Sequence, residues 1–401
     1  MNTPNPILDL EEIGFDEGAH LLVQRALRDL PPGAELGVAG GGRELLVHLD
    51  SWCRNKGHRV RRAEDPAVGV HSWVTRGRAD LDRWADAERA GGPRPEGIVA
   101  RADPRWGLAA RGALVEPGGP ALPFDLVERD LVWAEIAPTL YANAVAAQWK
   151  PDEAIAWDAE FVLPAEVEQA VVQVMTYLVE NEQAALVVPA RLLSRIHPHF
   201  HEVQQLLAVQ AADEARHMDV FTRRALLGGG ELGTSSVSGR ESLATLVTEP
   251  DFSLASFLLS VLGEGSFLNL LSFLDQHAPD PVTRQVTRLA RQDEARHVAF
   301  GVAHLQHQGK VDPALRGRLR AAVERRHDAL VDTAGLNQDV FDALIVLAAG
   351  EWTPAAIRRG YQRVQALQQD MDEGRQHRLI RLGFPADEAA ELSSLHTRNF
   401  M

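Results

Sequence analysis

The sequence has little of several residue types, and each shortage excludes a class of protein. A single cysteine, Cys53, in 401 residues excludes a disulfide framework, a rubredoxin-like site and a cysteine-ligated iron–sulfur cluster. The net charge is −15 and no basic stripe is present, so nucleic acid is not an expected partner. The N-terminus has no charged-then-apolar signal, and no apolar run approaches the ~20 residues that a membrane span needs. We therefore expect a cytoplasmic protein without a membrane segment.

What the sequence does have is a pentapeptide, Asp-Glu-Ala-Arg-His, that occurs at 213–217 and again at 293–297. Each copy lies in a helical pattern, so its Glu and its His lie about one turn apart on the same face. A carboxylate and an imidazole placed in this way can bind one metal ion. A single Glu-x-x-His is weak evidence of a metal site, but two copies in apolar helices are much stronger evidence.

A four-helix bundle that holds a carboxylate-bridged metal pair needs one further inward Glu from each of two other helices. Upstream of each motif, a predicted antiparallel helix supplies one. Glu182 is in phase with the apolar face of its helix, whereas Glu180 points roughly 160° away from that face. Glu264 is the only acid in a nearly continuous apolar helix. The four ligand helices are predicted at 165–194, 199–226, 252–275 and 280–307, and the predicted metal ligands are Glu182, Glu214, His217, Glu264, Glu294 and His297.

The chemistry of these ligands indicates which metals they hold. Four acids that face one core could not all ionise without cations to neutralise them. Hard oxygen ligands with some imidazole and no thiolate favour two iron ions, with manganese or a mixed iron and manganese pair as alternatives. Another interpretation is a helical bundle whose buried acids are satisfied by arginines. A protein that has lost its metal is a further alternative, against which the complete ligand set argues.

With these motifs the chain resembles the ferritin-like di-iron carboxylate superfamily, and its paired motifs are similar to those of bacterial hydrocarbon monooxygenases and acyl-carrier desaturases. The resemblance implies that O2 is used to hydroxylate, desaturate or N-oxygenate a small or apolar substrate. Because the single cysteine excludes a cysteine-ligated electron-transfer site, electrons are expected from an external donor protein or from the substrate. A homodimer is a further expectation. The second hypothesis is a non-catalytic metal-binding or scaffold protein that recruits a partner.

The resemblance also assigns roles around the metals. Asp213 and Asp293 would accept hydrogen bonds from the ligand imidazoles. Arg216 and Arg296 would pair with these acids, the alternative being that both lie on a solvated helix face. An apolar substrate chamber is expected from side chains on the ligand helices: Phe221, Phe257, Val261, Phe267 and Phe300.

Two members of the superfamily are disfavoured by single positions. Where the ribonucleotide reductase small subunit keeps its radical tyrosine, this sequence has Phe221. Where arylamine N-oxygenases have an extra ligand histidine, it has Ala290. His304 is expected to be a packed histidine, and His197, His199 and His201 are expected to belong to a polar connection.

Residues 1–79 predict a small two-layer α/β sandwich, in the order β-α-β-α-β-β, with its fourth strand in 68–75. With a strand and a helix before Leu30-Pro31-Pro32-Gly33, a second strand, and Trp52-Cys53 and Gly57-His58 before the next strand, the stretch 8–77 resembles the TusA-like sulfur-carrier family. Phe15-Asp16-Glu17-Gly18 stands where that family has its Cys-Pro motif, so persulfide transfer does not carry over. We interpret this domain as a docking or substrate-covering module.

The rest of the chain completes the predicted organisation. Residues 80–125 are rich in Gly and Pro and are expected to form a linker. The ferritin-like bundle is expected at 126–310, with a helix from Leu126 to Ala147. A C-terminal helical extension is expected at 311–401, its last residues 399–401 tucked in. The predicted fold class is α+β multidomain, mainly α, with a ferritin-like four-helix bundle after the small α/β sandwich.

Overall fold

The computed structural model describes residues 5–41, 44–64, 69–330 and 338–395. Contacts between residues divide the chain into two compact units. Unit 1 comprises Met1–Ala90 and Gly112–Pro120, and unit 2 comprises Gly91–Arg111 and Ala121–Met401. The predicted strand start at Val68 and the expectation for 399–401 lie outside the described residues.

Unit 1 contains a four-stranded sheet covered by two helices. The strand order is β1-β2-β4-β3, with β1 parallel to β2 and the other pairs antiparallel. The helices bury Val23, Leu27 and Leu49 against sheet residues such as Leu36 and Val38, so one face of the sheet forms the core. The two-layer sandwich is therefore confirmed. Its elements are β1 Ile7–Asp9, α1 Ala19–Arg28, β2 Glu35–Ala39, α2 Leu45–Asn55, β3 Arg59–Arg62, β4 Ser72–Thr75, α3 Ala79–Arg83, and the short pair β5 Glu88–Arg89 and β6 Leu114–Val115.

Unit 2 is helical, and its centre is a bundle of long helices. The predicted ligand helices lie close to their expected bounds, because the heptad-like apolar spacing that predicts them is also what buries them. In chain order the helices are α4 Ala137–Ala146, α5 Pro151–Ala154, α6 Ala165–Leu193, α7 His201–Leu226, α8 Val237–Val247, α9 Phe252–Ser256, α10 Gly265–His277, α11 Pro281–Val311, α12 Leu315–Leu330, α13 Gln338–Ala349, α14 Pro354–Arg381 and α15 Ala386–Ser394.

Between α9 and α10 the helix continues as a π-helix, Phe257–Glu264, which we call the π segment. All eight of its residues are buried. At its end the N–H of Gly265 donates to the carbonyl of Ser260, five residues earlier. Gly301 of α11 allows close packing on this segment, because a Cβ there would stand 2.4 Å from the Cβ of Ser260. The π segment carries Glu264 into the bundle.

The continuous helix Phe252–His277 bears on the membrane expectation. Its mean hydropathy is 1.6 over an 18-residue window, so by length and composition it could cross a membrane. The expectation that no apolar stretch reaches spanning length is wrong for this helix. However, 83% of that window is buried inside the protein, as in the core helix of a soluble protein. The helices Gln338–Ala349 and Pro354–Arg381 together are also long and apolar enough to cross a membrane, but the chain bends by 117° between them.

The segment that precedes the bundle differs from its prediction. The expected helix from Leu126 to Ala147 begins only at Ala137, with Pro138 in its first turn. Leu126 is instead extended: its N–H donates to Arg195 O, and its carbonyl accepts from His197 N at 3.1 Å. Pairing with the connection after α6 therefore overrides the local helical pattern. The C-terminal helices α12 to α15 occur where amphipathic helices are predicted.

Candidate metal centre

The structure brings the six predicted metal ligands together inside unit 2. They come from α6, α7, the π segment and α11, and each is at most 5% exposed. Their ligand atoms form two groups, and within each group these atoms lie within 4.8 Å of one another. Two members, Glu214 and Glu294, belong to both groups. The first group is Glu182, Glu214, His217 and Glu294, and the second is Glu214, Glu264, Glu294 and His297.

Both imidazoles turn one nitrogen toward this cluster. Nδ1 of His217 lies 3.1 Å from Glu214 Oε2 and 3.4 Å from Glu182 Oε2. Nδ1 of His297 lies 3.0 Å from Glu214 Oε1 and 3.3 Å from Glu294 Oε2. The two half-sites are thus alike. In each, Nδ1 is the nitrogen that can bind a metal.

The opposite nitrogens face the aspartates that begin the two copies of the motif, in a crossed arrangement. Nε2 of His217 lies 3.2 Å from Asp293 Oδ2, and Nε2 of His297 lies 3.4 Å from Asp213 Oδ2. Each motif therefore supplies the acceptor for the other motif's histidine. An acceptor at Nε2 keeps the proton there, which leaves Nδ1 free to bind a metal.

Arg216 and Arg296 close this arrangement and do not lie on a solvated face, since their side chains are only 11% and 14% exposed. Nη2 of Arg216 donates to Asp213 Oδ1 at 2.6 Å and to Asp293 Oδ2 at 2.8 Å. Arg296 contacts the same two acids, Asp293 more closely than Asp213. The two guanidinium groups thus hold both acids in their ionised form, and the pKa of Asp213, despite its burial, is lowered by hydrogen bonding to His297 and Gln148.

The charges in the cluster oppose one another strongly. Burial and the neighbouring Glu214 raise the pKa of Glu182 well above its ordinary value, and burial and Glu294 raise that of Glu264. Burial alone would lower the pKa of His217, but the surrounding carboxylates, Glu182 first, raise it well above its usual range. Without metal, protons on these groups must neutralise the buried acids. Divalent cations would perform the same neutralisation.

Within the part of the chain that the structure describes, three buried carboxylate oxygens in the cluster have no hydrogen-bond partner: Glu182 Oε1, Glu214 Oε1 and Glu264 Oε2. Glu214 Oε1 is close to His297 Nδ1, but the angle is not that of a hydrogen bond. Buried carboxylate oxygens are normally paired, because desolvation without a partner is costly. Their chemistry, hard oxygen with imidazole, suits iron or manganese. The residues present therefore fit a pair of such ions.

Three further polar residues support the centre that sequence reasoning did not assign to it. Gln148 Nε2 donates to Asp213 Oδ1 at 2.8 Å, and Trp149 Nε1 donates to Asp293 Oδ2 at 2.8 Å. The Trp149 ring also lies under the Arg216 guanidinium, 4.5 Å from its centroid. Gln210, one turn before Glu214, donates to Glu264 Oε1 at 2.9 Å. The partners of Gln148 and Trp149 lie 65 and 144 positions later in the chain, so local sequence patterns do not indicate these hydrogen bonds.

All five residues predicted to line a substrate chamber are buried in the core of unit 2: Phe221, Phe257, Val261, Phe267 and Phe300. The Phe221 ring lies 6.2 Å from that of His217. Phe267 packs on Tyr177, 6.1 Å between ring centroids. Phe300 stacks on His304, farther along α11. Phe221 is therefore the member of this set that contacts a ligand ring.

Three buried histidines outside the cluster, His197, His199 and His304, have structural contacts. His304 is fully buried, with Nε2 2.8 Å from Ser253 Oγ and Nδ1 2.9 Å from Trp133 O, which agrees with a packed residue. His197 and His199 belong to a polar connection, in which both are buried and His197 Nδ1 accepts from His199 N at 3.1 Å. His199 Nε2 accepts from Val99 N at 3.0 Å, because residues 91–111 cover this connection within unit 2.

Comparisons with known proteins give structural likenesses only. No model of a protein family matches the chain, and no curated protein matches it. A Synechococcus protein with aldehyde deformylating oxidase activity is 20% identical, with a TM-score of 0.41, over 57% of this chain and 96% of its own. An R2-like ligand-binding oxidase variant with a reconstituted Mn/Fe cofactor is 20% identical, with a TM-score of 0.42, over 65% of this chain and 94% of its own.

A third solved structure, the R2-like ligand-binding oxidase from Sulfolobus acidocaldarius, is 17% identical, with a TM-score of 0.41, over 59% of this chain and 90% of its own. At these identities and TM-scores, the likenesses carry no argument about chemistry. That argument comes from the geometry of the cluster.

Proposed function

We propose that this protein is an oxidoreductase that binds two iron ions, or a manganese and iron pair, and uses O2 to oxidise a small or apolar organic substrate. The observation that carries this proposal is the sharing of Glu214 and Glu294 between the two ligand groups. A carboxylate that belongs to both groups can bridge two ions. Glu182 and His217 complete one position, and Glu264 and His297 complete the other.

A bound pair of reduced iron or manganese ions would supply the electrons that reduce O2. The protein's own contribution is to hold and shield this site. Asp213 and Asp293 fix the protons of the two imidazoles on Nε2. The buried ring of Phe221 beside His217 keeps water away from the ligands. Exclusion of water favours oxidation of an organic substrate over loss of oxidant to solvent.

Hydroxylation, desaturation and N-oxygenation all suit this chemistry, and the apolar core residues around Phe221, Val261 and Phe257 favour an apolar substrate. Electrons would come from an external donor protein or from the substrate, because the chain has no cysteine cluster. Its single thiol, Cys53, is buried, and burial, with the charge of Asp50, raises its pKa to about 12. The same property argues against sulfur transfer by unit 1, for which we propose a docking role.

The test is oxygen uptake by the metal-loaded chain. Protein from iron- and manganese-supplemented cells is reduced with dithionite and mixed with O2 in a stopped-flow spectrometer. We expect two metal ions per chain, one for each ligand group, and consumption of O2 with a transient visible absorption. Glu214→Ala should lose both. Tightly bound metal that does not react with O2 would favour the hypothesis of a non-catalytic metal-binding or scaffold protein instead.

A further inference from the structure

Two arginines of α14, Arg375 and Arg378, lie beside the helix that carries Glu264, the first buried and the second partly buried, and the proposed function does not use them. Arg375 is 1% exposed. Its Nε donates to Ser393 Oγ and its Nη1 to Ser266 Oγ, each at 3.2 Å. Both partners are neutral. The nearest carboxylate, Asp372 Oδ1, is 4.0 Å from Nη2. Arg375 is therefore a buried cation with a weak counter-ion.

Arg378 has less compensation still. Its Nε donates to Val261 O at 2.7 Å. This carbonyl lies four residues before Gly265, whose N–H donates to Ser260 O instead at the end of the π segment. Its Nη2 atom is buried and has no hydrogen-bond partner among the residues that the structure describes. Gly265 makes room for this guanidinium, since a Cβ there would stand 2.4 Å from Nε and 2.8 Å from Nη2. The Arg378 guanidinium thus contacts the π segment through Nε, whereas its Nη2 atom lacks a hydrogen-bond partner among the described residues.

The charge balance at this place calls for an anion. Among the described residues, Asp372 supplies the one carboxylate within 4.0 Å of either guanidinium group, which leaves one positive charge in excess there. Burial lowers the pKa of Arg375 and of Arg378 to about 10, the latter also through the charge of Arg375. Both therefore remain charged at neutral pH. A buried charge without a partner costs several kcal/mol, and a monoanion would remove that cost.

An open groove lies beside this place in the fold, with Asn269 rather than either arginine on its wall. It has a volume of about 470 Å³ and is lined by residues of α10 and α11, among them Leu268, Asn269 and Arg291. Asn269 connects the groove to Arg378. A Cβ on Gly374 would stand 3.5 Å from Asn269 Oδ1 and 3.1 Å from Arg378 Nη1, so only a glycine separates the two side chains.

We propose that Arg378 and Arg375 form a binding site for a small organic carboxylate, which enters along this groove and takes the free N–H donors of Arg378. A guanidinium presents parallel donors that match a carboxylate, and a carboxylate supplies the single negative charge that the site lacks. The apolar part of the ligand would lie along Leu268 and Ala295 in the groove. This site is distinct from the metal cluster and does not depend on bound metal.

The experiment is equilibrium dialysis of the full-length, metal-loaded protein with radiolabelled octanoate, with inorganic phosphate and sulfate as competitors. Arg378→Gln should weaken octanoate binding about tenfold or more, the effect of losing a charged hydrogen-bond donor. Gly374→Leu keeps both arginines and fills the space between Arg378 and Asn269, so it should weaken binding similarly. Its matched control is Gly317→Leu in α12, where a Cβ would meet nothing within 4 Å.

A further variant separates this site from the metal centre. Octanoate binding should survive in Glu214→Ala, which removes a shared metal ligand. Binding that disappears in Glu214→Ala but persists in Arg378→Gln would place the carboxylate on the metals and overturn the proposal. The proposal would also be overturned if the unaltered chain did not bind octanoate. The same holds if Arg378→Gln and Gly374→Leu bound octanoate as tightly as Gly317→Leu does. Stronger displacement by phosphate or sulfate would replace a carboxylate site with an inorganic oxyanion site.

Discussion

Replacement of Asp293 by asparagine tests how the duplicated motif controls the metal ligands. Asp293 Oδ2 faces Nε2 of His217 at 3.2 Å and also accepts from Trp149 Nε1 and Arg216 Nη2, both at 2.8 Å. In Asp293→Asn the shape is retained, but one acceptor oxygen becomes a donor NH2 group. That group cannot accept from Arg296 or from the other donors around it. The proton on His217 Nε2 is then held less firmly.

The expected magnitude follows from comparable sites. Loss of an acceptor behind a ligand histidine typically weakens metal binding about 10- to 100-fold, or ~1.4–2.8 kcal/mol. Because Asp293 is only 1% exposed and bound by two arginines, we expect the upper part of that range. The assay is competition between the protein and a fluorescent chelator for Mn²⁺, with metal content checked after gel filtration.

Asp219→Asn is the matched control on α7. Asp219 is 54% exposed and its ion pair with Arg223 is 3.7 Å long, so its effect on metal affinity should be under twofold. The reasoning about crossed histidine support would be refuted by a folded Asp293→Asn protein whose affinity equals that of the unaltered chain. Equal losses in both variants would also refute it.

Three further predictions follow. Glu182→Ala should reduce the metal content of the purified protein, whereas Glu180→Ala should leave it unchanged; the opposite result would reassign the ligand on α6. The surrounding carboxylates raise the pKa of His217 and that of His297 above the ordinary value despite burial. Loading with Mn²⁺ should therefore release protons, measured by pH-stat, and the affinity for Mn²⁺ should fall as pH falls. Loading without proton release would contradict this. Burial lowers the pKa of His304 from 6.5 to about 4. Below pH 6.5 the unfolded chain therefore binds the proton before the folded chain does. As pH falls toward 4, the free energy of unfolding should fall by up to about 3 kcal/mol. In His304→Gln, urea midpoints should vary less over that range; an unchanged pH dependence would show that His304 does not titrate as described.

Much of the metal centre was predictable from the sequence, because helical periodicity alone places side chains on a face. Glu182 and Glu180 differ by two positions, and the choice of Glu182 depended on α6 keeping 3.6 residues per turn. The structure has a regular α-helix there. The π segment occurs instead in the stretch that ends at Glu264. This stretch is almost uniformly apolar, so the spacing of its apolar residues does not indicate a change in the number of residues per turn.

What could not be predicted depends on contacts between distant residues. The crossed pairing of Asp213 with His297 and of Asp293 with His217 requires α7 and α11 to face one another. Arg378 reaches Val261, 117 positions earlier in the chain. Leu126 shows the converse, since its local pattern predicts a helix and a pairing with the far end of α6 prevents one.

The most direct test of the account is the location of metal in the protein. Crystals loaded with Fe²⁺ and measured at the iron absorption edge should show two anomalous peaks per chain, about 3.5–4 Å apart as in other two-metal sites. One peak should lie beside Glu182 and His217 and the other beside Glu264 and His297, with Glu214 and Glu294 contacting both. A single peak, or iron bound outside these six side chains, would contradict a shared dinuclear centre and with it the proposed function.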